Sequence, residues 1–146
     1  MKNDFSINNL FKGLEIASKR LYKYIEEKET ESVFFSLAET IFWINTILDR
    51  LLLKDIEEWQ DEVNAMRCAF NFIKHNKNIL KINTTVGGKS YPLTYPYSYG
   101  FKYVFADLAN IECEIGKELV KYYQEHLKEK DIKPTIERYI SKLSKS

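Results

Sequence analysis

No stretch of this sequence can cross a bilayer. A transmembrane helix needs roughly 20 mostly apolar residues in a row, and runs such as Leu51-Leu52-Leu53 or Ile79-Leu80 fall far short. The N-terminus MKNDFSINNL lacks the apolar core of a signal peptide. A cytoplasmic location without membrane association is therefore expected. Cysteine is scarce too: Cys68 and Cys113 have no CxxC spacing and no histidine cluster near them. That excludes a disulfide framework, and the two read as small core residues of a reducing compartment. With two histidines on unrelated helices as well, no metal site and no cofactor are expected. Glycine and proline number only 5 and 3, so few turns are written into the chain and long helices are expected. Gly87-Gly88 lacks the strand, the Lys-Ser/Thr pair and the helix of a phosphate-cradling loop.

What is present suits a single domain spanning 1–146, long enough for a real core. Hydrophobic residues make up 45%, and the 14% of aromatics is high. Over residues 4–28, Ile7, Leu10, Leu14, Ala17, Leu21 and Tyr24 recur in steps of three and four, the period of an amphipathic helix. Thr30 reads as the N-cap of a second helix, with Phe34, Leu37, Ile41, Ile44, Leu48 and Leu51 as its stripe. Phe35, Ala38, Trp43 and Leu52 widen that stripe. The short connection predicts an antiparallel helical hairpin.

A third helix is expected from about Asp55–Glu58 to Leu80, with Val63, Met66, Phe70 and Ile73 inward. Residues 81–106 break the period with Gly87-Gly88, Pro92, Pro96, Gly100 and tyrosines spaced by two, which predicts a small hairpin or an aromatic loop. Its tyrosines read either as a lid on the core or as stacking faces for bases. Asp107 is the expected N-cap of a fourth long helix through Leu127, and Pro134 opens a short terminal one through Leu143. The expected class is all-α: an antiparallel bundle of four main helices plus a short C-terminal helix.

Within the third helix, MRCAFNFIKHN places Arg67, Asn71 and His75 four residues apart. A four-residue step turns only about 40°, so the three share one helical edge. Measured from Phe70 they lie at about +60°, +100° and +140°, with Met66 and Ile73 at about −40° and −60°. A guanidinium, an amide and an imidazole in line suit phosphate binding and proton transfer; they also suit the polar border of a core stripe. Charge sharpens the choice. Residues 67–102 carry Arg67, Lys74, Lys77, Lys81, Lys89 and Lys102 and no acid, whereas residues 1–66 carry 8 basic and 13 acidic side chains. That basic stretch either attracts phosphates or packs against acids of the same chain or a second subunit.

The run resembles the signature helix of HEPN-type domains, whose pattern is R-N-x-x-x-H. Asn71 and His75 match it, the pattern's Arg falls on Phe70, and Arg67 matches an upstream Arg of small bacterial HEPN-like proteins. The two long helices before the motif, the aromatic segment after it and the tail YYQEHLKEKDIKPTIERYISKL are similar to that group as well. The resemblance implies a homodimer through the motif helix, binding of RNA or nucleotide, and metal-independent ribonuclease chemistry of a toxin or phage-defence system with a cognate antitoxin or defence partner. Arg67, Asn71 and His75 would be the catalytic set, and Arg67, Lys74, Lys77, Lys81, Tyr95 and Tyr97 the nucleic-acid contacts. The alternative left by Phe70 is a noncatalytic interaction or dimerisation module.

Overall fold

The structure, a computed structural model, describes residues 6–86, 99–108 and 117–145. Ser6 opens α1 (Ile7–Glu27) by accepting the Asn9 amide on its Oγ at 3.2 Å, satisfying one donor that a helix start leaves bare. Leu10, Leu14, Ala17 and Leu21 are buried along one side, as the three-four spacing predicts. The helix stops at Lys28, which takes a left-handed φ of 58°. The Lys28 and Glu29 amides turn back to the carbonyls of Ile25 and Tyr24, the two-bond Schellman closure.

Only two residues separate α1 from α2 (Thr30–Leu48). Gly13 stands against the Trp43 ring and Arg20 pairs with Glu39, so the chain folds back on itself. Thr30 is not the N-cap expected from sequence. It is the first helical residue, and its Oγ1 lies 2.9 Å from the Tyr103 hydroxyl, so a tertiary contact claims the group that capping needs. The second helix is apolar on almost every side. Val33, Leu37, Ile41, Ile44, Ile47 and Leu48 are buried, while Phe35 and Phe42 are 62% and 45% exposed.

The third expected helix begins slightly earlier, is divided, and ends sooner than expected. A single turn, α3 (Leu53–Ile56), and a 3-10 turn at Glu57–Trp59 lead into α4 (Gln60–Lys74). Helix α4 ends well before Leu80 because Asn76 adopts φ 64°. The Asn76 amide then bonds the Ile73 carbonyl at 3.1 Å and the Lys77 amide the Phe72 carbonyl at 2.8 Å, again a Schellman closure. Asparagine is one of the few residues that enters this region at modest cost.

Strands β1 (Leu80–Val86) and β2 (Tyr99–Phe105) pair antiparallel, from Leu80 opposite Phe105 to Val86 opposite Tyr99. The fold is therefore mostly helical with a small two-stranded sheet, which agrees with the mainly helical class expected and, of the two readings of residues 81–106, with the hairpin. β-branched and aromatic residues two apart favour the pleat, and Tyr103 and Phe105 turn into the core. Tyr95, Tyr97 and Lys89 lie outside the described residues. Residues 106–108 are irregular, and the helix expected to open after Asp107 falls on residues 109–116, which lie outside the described set. A 3-10 turn at Lys117–Leu119 precedes α5 (Val120–His126), and α6 (Ile132–Ser144) carries Pro134 in its first turn as expected.

The segment between α5 and α6 covers the outer side of β2. The Phe105 amide bonds the Lys130 carbonyl at 3.1 Å, and the Glu129 amide bonds the Phe105 carbonyl at 2.8 Å. Helix α6 is fastened to α4 through Glu62, whose carboxylate meets Arg138 and, at 2.8 Å, Lys142. The Tyr139 hydroxyl donates to the Glu62 carbonyl at 2.6 Å. All of these elements contribute to one apolar cluster, with Phe72, Phe105, Tyr123 and Tyr139 among its largest members. No described helix is long and apolar enough to cross a membrane.

Candidate functional site

Helix α4 buries Ala65, Met66, Cys68, Ala69 and Phe72, leaving Phe70 and Ile73 only partly covered. Its core face thus lies further round than the Met66–Phe70–Ile73 stripe read from sequence. Phe72 fills the interior against Tyr123, with ring centroids 5.3 Å apart. The Arg67–Asn71–His75 edge is consequently turned outward. Arg67 and Asn71 are half-buried, and His75, at the C-cap, is exposed.

The three residues differ in what holds them. Arg67 Nη1 donates to Asp49 Oδ1 at 2.8 Å, at the end of α2. The Asn71 side chain makes no hydrogen bond to a described residue, while its carbonyl accepts the His75 amide at 3.1 Å. His75 forms no ion pair with a described residue. Arg67 and His75 are separated by about 12 Å of helical rise, so within one subunit they do not meet on a single phosphate oxygen.

Phe70 sits where the pattern's arginine belongs, at the seam of α2 and α4. Its ring meets Phe42 edge-on at 6.2 Å, and Lys74 Nζ lies 4.8 Å from its centroid. Beside it run Phe35 and Ala38 of α2 and Ile73 of α4, and these three line a groove of about 390 Å³ with Phe34, Asn76 and Lys77. The sequence hint for this exposed apolar face was the composition of α2, too apolar to bury on every side.

The acid-free stretch is largely neutralised in three dimensions. Lys81 meets Glu129 at 3.0 Å and Lys102 meets Asp131 at 3.7 Å, while Arg67 takes Asp49. Lys81 is thus tied to the segment before α6 by an exposed ion pair. Lys77 alone of the described cations in this stretch has neither an acid nor a ring against it. These acids are 18, 48 and 29 positions away in the chain, and no spacing rule pairs them.

Among the described residues, no three His, Cys, Asp or Glu side chains converge as a metal-binding group. His126 is a half-buried helix-end residue with Nε2 3.6 Å from Glu125, as expected of a residue with no ladder around it. A further cleft of about 450 Å³ between α3 and the end of α6 is lined by Lys54, Asp55, Glu58, Trp59, Lys142 and Lys145. Its charges are mixed, and no ladder residue lines it. Comparison with known protein families, curated proteins and solved structures finds no match.

Proposed function

We propose that the chain is a HEPN-like helical-bundle domain, cytoplasmic and bacterial, that dimerises through α4 and binds RNA or nucleotide beside its C-terminal end. The observation that carries this reading is the pairing of an exposed His75 with an Asn71 amide one turn earlier, unclaimed by any described residue. Lys74 and Lys77 supply positive charge at the same helix end. The dimer face is the apolar seam of Phe35, Phe42, Phe70 and Ile73, which an isologous contact would cover. In this arrangement the four main helices form an antiparallel bundle and a toxin or phage-defence role follows the family resemblance.

Cleavage would run without metal. The RNA 2′-hydroxyl would give its proton to His75 and attack the adjacent phosphorus, and the P–O5′ bond would break to leave a 2′,3′-cyclic phosphate. His75 would return the proton to the departing 5′-oxygen, and a cation would offset the charge developing on the phosphorane. Phe70 cannot be that cation. Arg67 is held only by an exposed ion pair, of a kind worth at most about 1 kcal/mol, so a phosphate can displace Asp49. In the proposed dimer the second subunit's Arg67 would serve as that cation.

The Arg67–Asp49 pair also favours the second reading, a noncatalytic module in which this edge only holds a partner. Incubation with single-stranded RNA in chelator separates the two. Cleavage lost in His75→Ala at unchanged melting temperature supports the enzyme. No cleavage by the parent protein, with His75→Ala altering stability alone, overturns it.

A further inference from the structure

Strand β1 has one edge that no described strand pairs. The Ala106 amide bonds the Ile79 carbonyl, so in the antiparallel alternation Lys81 and Asn83 exchange bonds with β2, while Leu80, Ile82 and Thr84 aim theirs away. The same alternation accounts for Phe105 bonding outward to residues 129 and 130. Asn78 Oδ1 already takes the Leu80 amide at 2.9 Å. No described strand pairs with the backbone of Ile82 and Thr84. Folded proteins commonly blunt such edges with proline or an outward lysine. Here there is no proline in β1, its one lysine is tied to Glu129, and Ile82 is 39% exposed.

A groove flanks that edge. Thr30, Glu31, Phe34 and Phe35 of α2 face Leu80 and Ile82 across about 450 Å³, and the space continues past Asn78 toward Ile73 and Lys77. One end therefore carries a carboxylate and the other an ammonium, neither paired with a described residue. We infer that β1 and this groove take an extended peptide as an added strand. Its backbone bonds Ile82 and Thr84, its alternate apolar side chains fill the Phe34–Phe35 trough, and opposite charges at its ends meet Glu31 and Lys77. A second copy docked about a two-fold at Ile82 would bring Glu31 toward its own twin, which like charges oppose. The inference uses neither Asn71 nor His75, but it shares Phe35 and Ile73 with the proposed dimer face and Lys77 with the charge proposed for RNA, so peptide and dimer compete for this groove.

Antiparallel pairing puts the peptide's base at its N-terminal end, so the probe is acetyl-Lys-Val-Thr-Val-Thr-Val-Glu-amide added to the whole chain. At about 1 mM it should slow amide exchange at Ile82 and Thr84 by about tenfold or more, with NMR shifts at Phe34, Phe35 and Ile82. The same peptide N-methylated at alternate residues should do neither. Exchanging the charges, Glu31→Lys with Lys77→Glu, should move the preference to the charge-reversed peptide. No slowing, equal slowing by the N-methylated peptide, or no change of preference overturns the inference. So does protection of both amides that rises with protein concentration alone, the mark of a second copy.

Discussion

Tyr22, Tyr123 and Tyr139 are held neutral by the interior. Burial, with Glu137 nearby, pushes the Tyr22 hydroxyl up from 10.0 to about 12. Burial raises Tyr123 and Tyr139 further still, and Glu62 adds to the effect at Tyr139. The unfolded chain loses these protons first as pH rises, so their stabilising contribution is complete below 10 and drains away through the raised values. Stability is expected to hold below pH 10 and fall above it, with tyrosinate absorbance from these three appearing only on unfolding. At Asn76, as at Lys28, one backbone angle ends a helix. Asn76→Val is expected to cost about 1–2 kcal/mol in denaturant melts, because a β-branched side chain resists the left-handed region, while Asn76→Gly costs nothing.

Between elements, the closest joint is α1 on α2. A Cβ on Gly13 would stand 2.8 Å from two carbons of the Trp43 ring, and a half-buried ring cannot swing aside as a flexible chain end does. Helix propensity favours Gly13→Ala by about 1 kcal/mol; overpacking costs about 1–3 kcal/mol. The second effect wins, so the variant should melt lower than the parent with its helical circular dichroism intact. Helix α2 itself was legible as a helix, and the exposure of Phe35 and Phe42 was not. Periodicity predicts a stripe, but nothing in α2 tells which apolar residues other elements will leave uncovered. The end of α4 was misplaced for a related reason. The spacing of Ile73 and Leu80 continues the helical period, whereas Asn76 stops the helix through one backbone angle.

Across the molecule, one apolar cluster joins the two long helices, the hairpin and α5–α6. Trp43 reports the α1–α2 joint, and Trp59, packed on Tyr139 and Lys142, reports the α4–α6 joint. Because no part of the cluster stands apart, tryptophan fluorescence and far-ultraviolet dichroism should give coincident unfolding transitions. Separate midpoints would mean that α6 opens alone. The same scale governs charge. A stretch with six cations and no acid looks strongly basic when read along the chain, yet folding supplies Asp49, Glu129 and Asp131 to three of them.

The sequence by itself determined the periodic elements: α1, α2, the heart of α4, and α6 behind Asp131 and Pro134, and it narrowed the aromatic stretch to a hairpin or a loop. These follow from spacing, turn chemistry and β-branched or aromatic content, which act over a few residues. It also put Asn71 and His75 one turn apart, since the helical rise fixes that. Tertiary structure decided that Arg67 is held by Asp49, that Phe70 lies on a seam beside Phe42, and that the outer edge of β1 is unpaired among the described residues. Each depends on which distant segments come to lie alongside, through packing and charge contacts that no local spacing encodes.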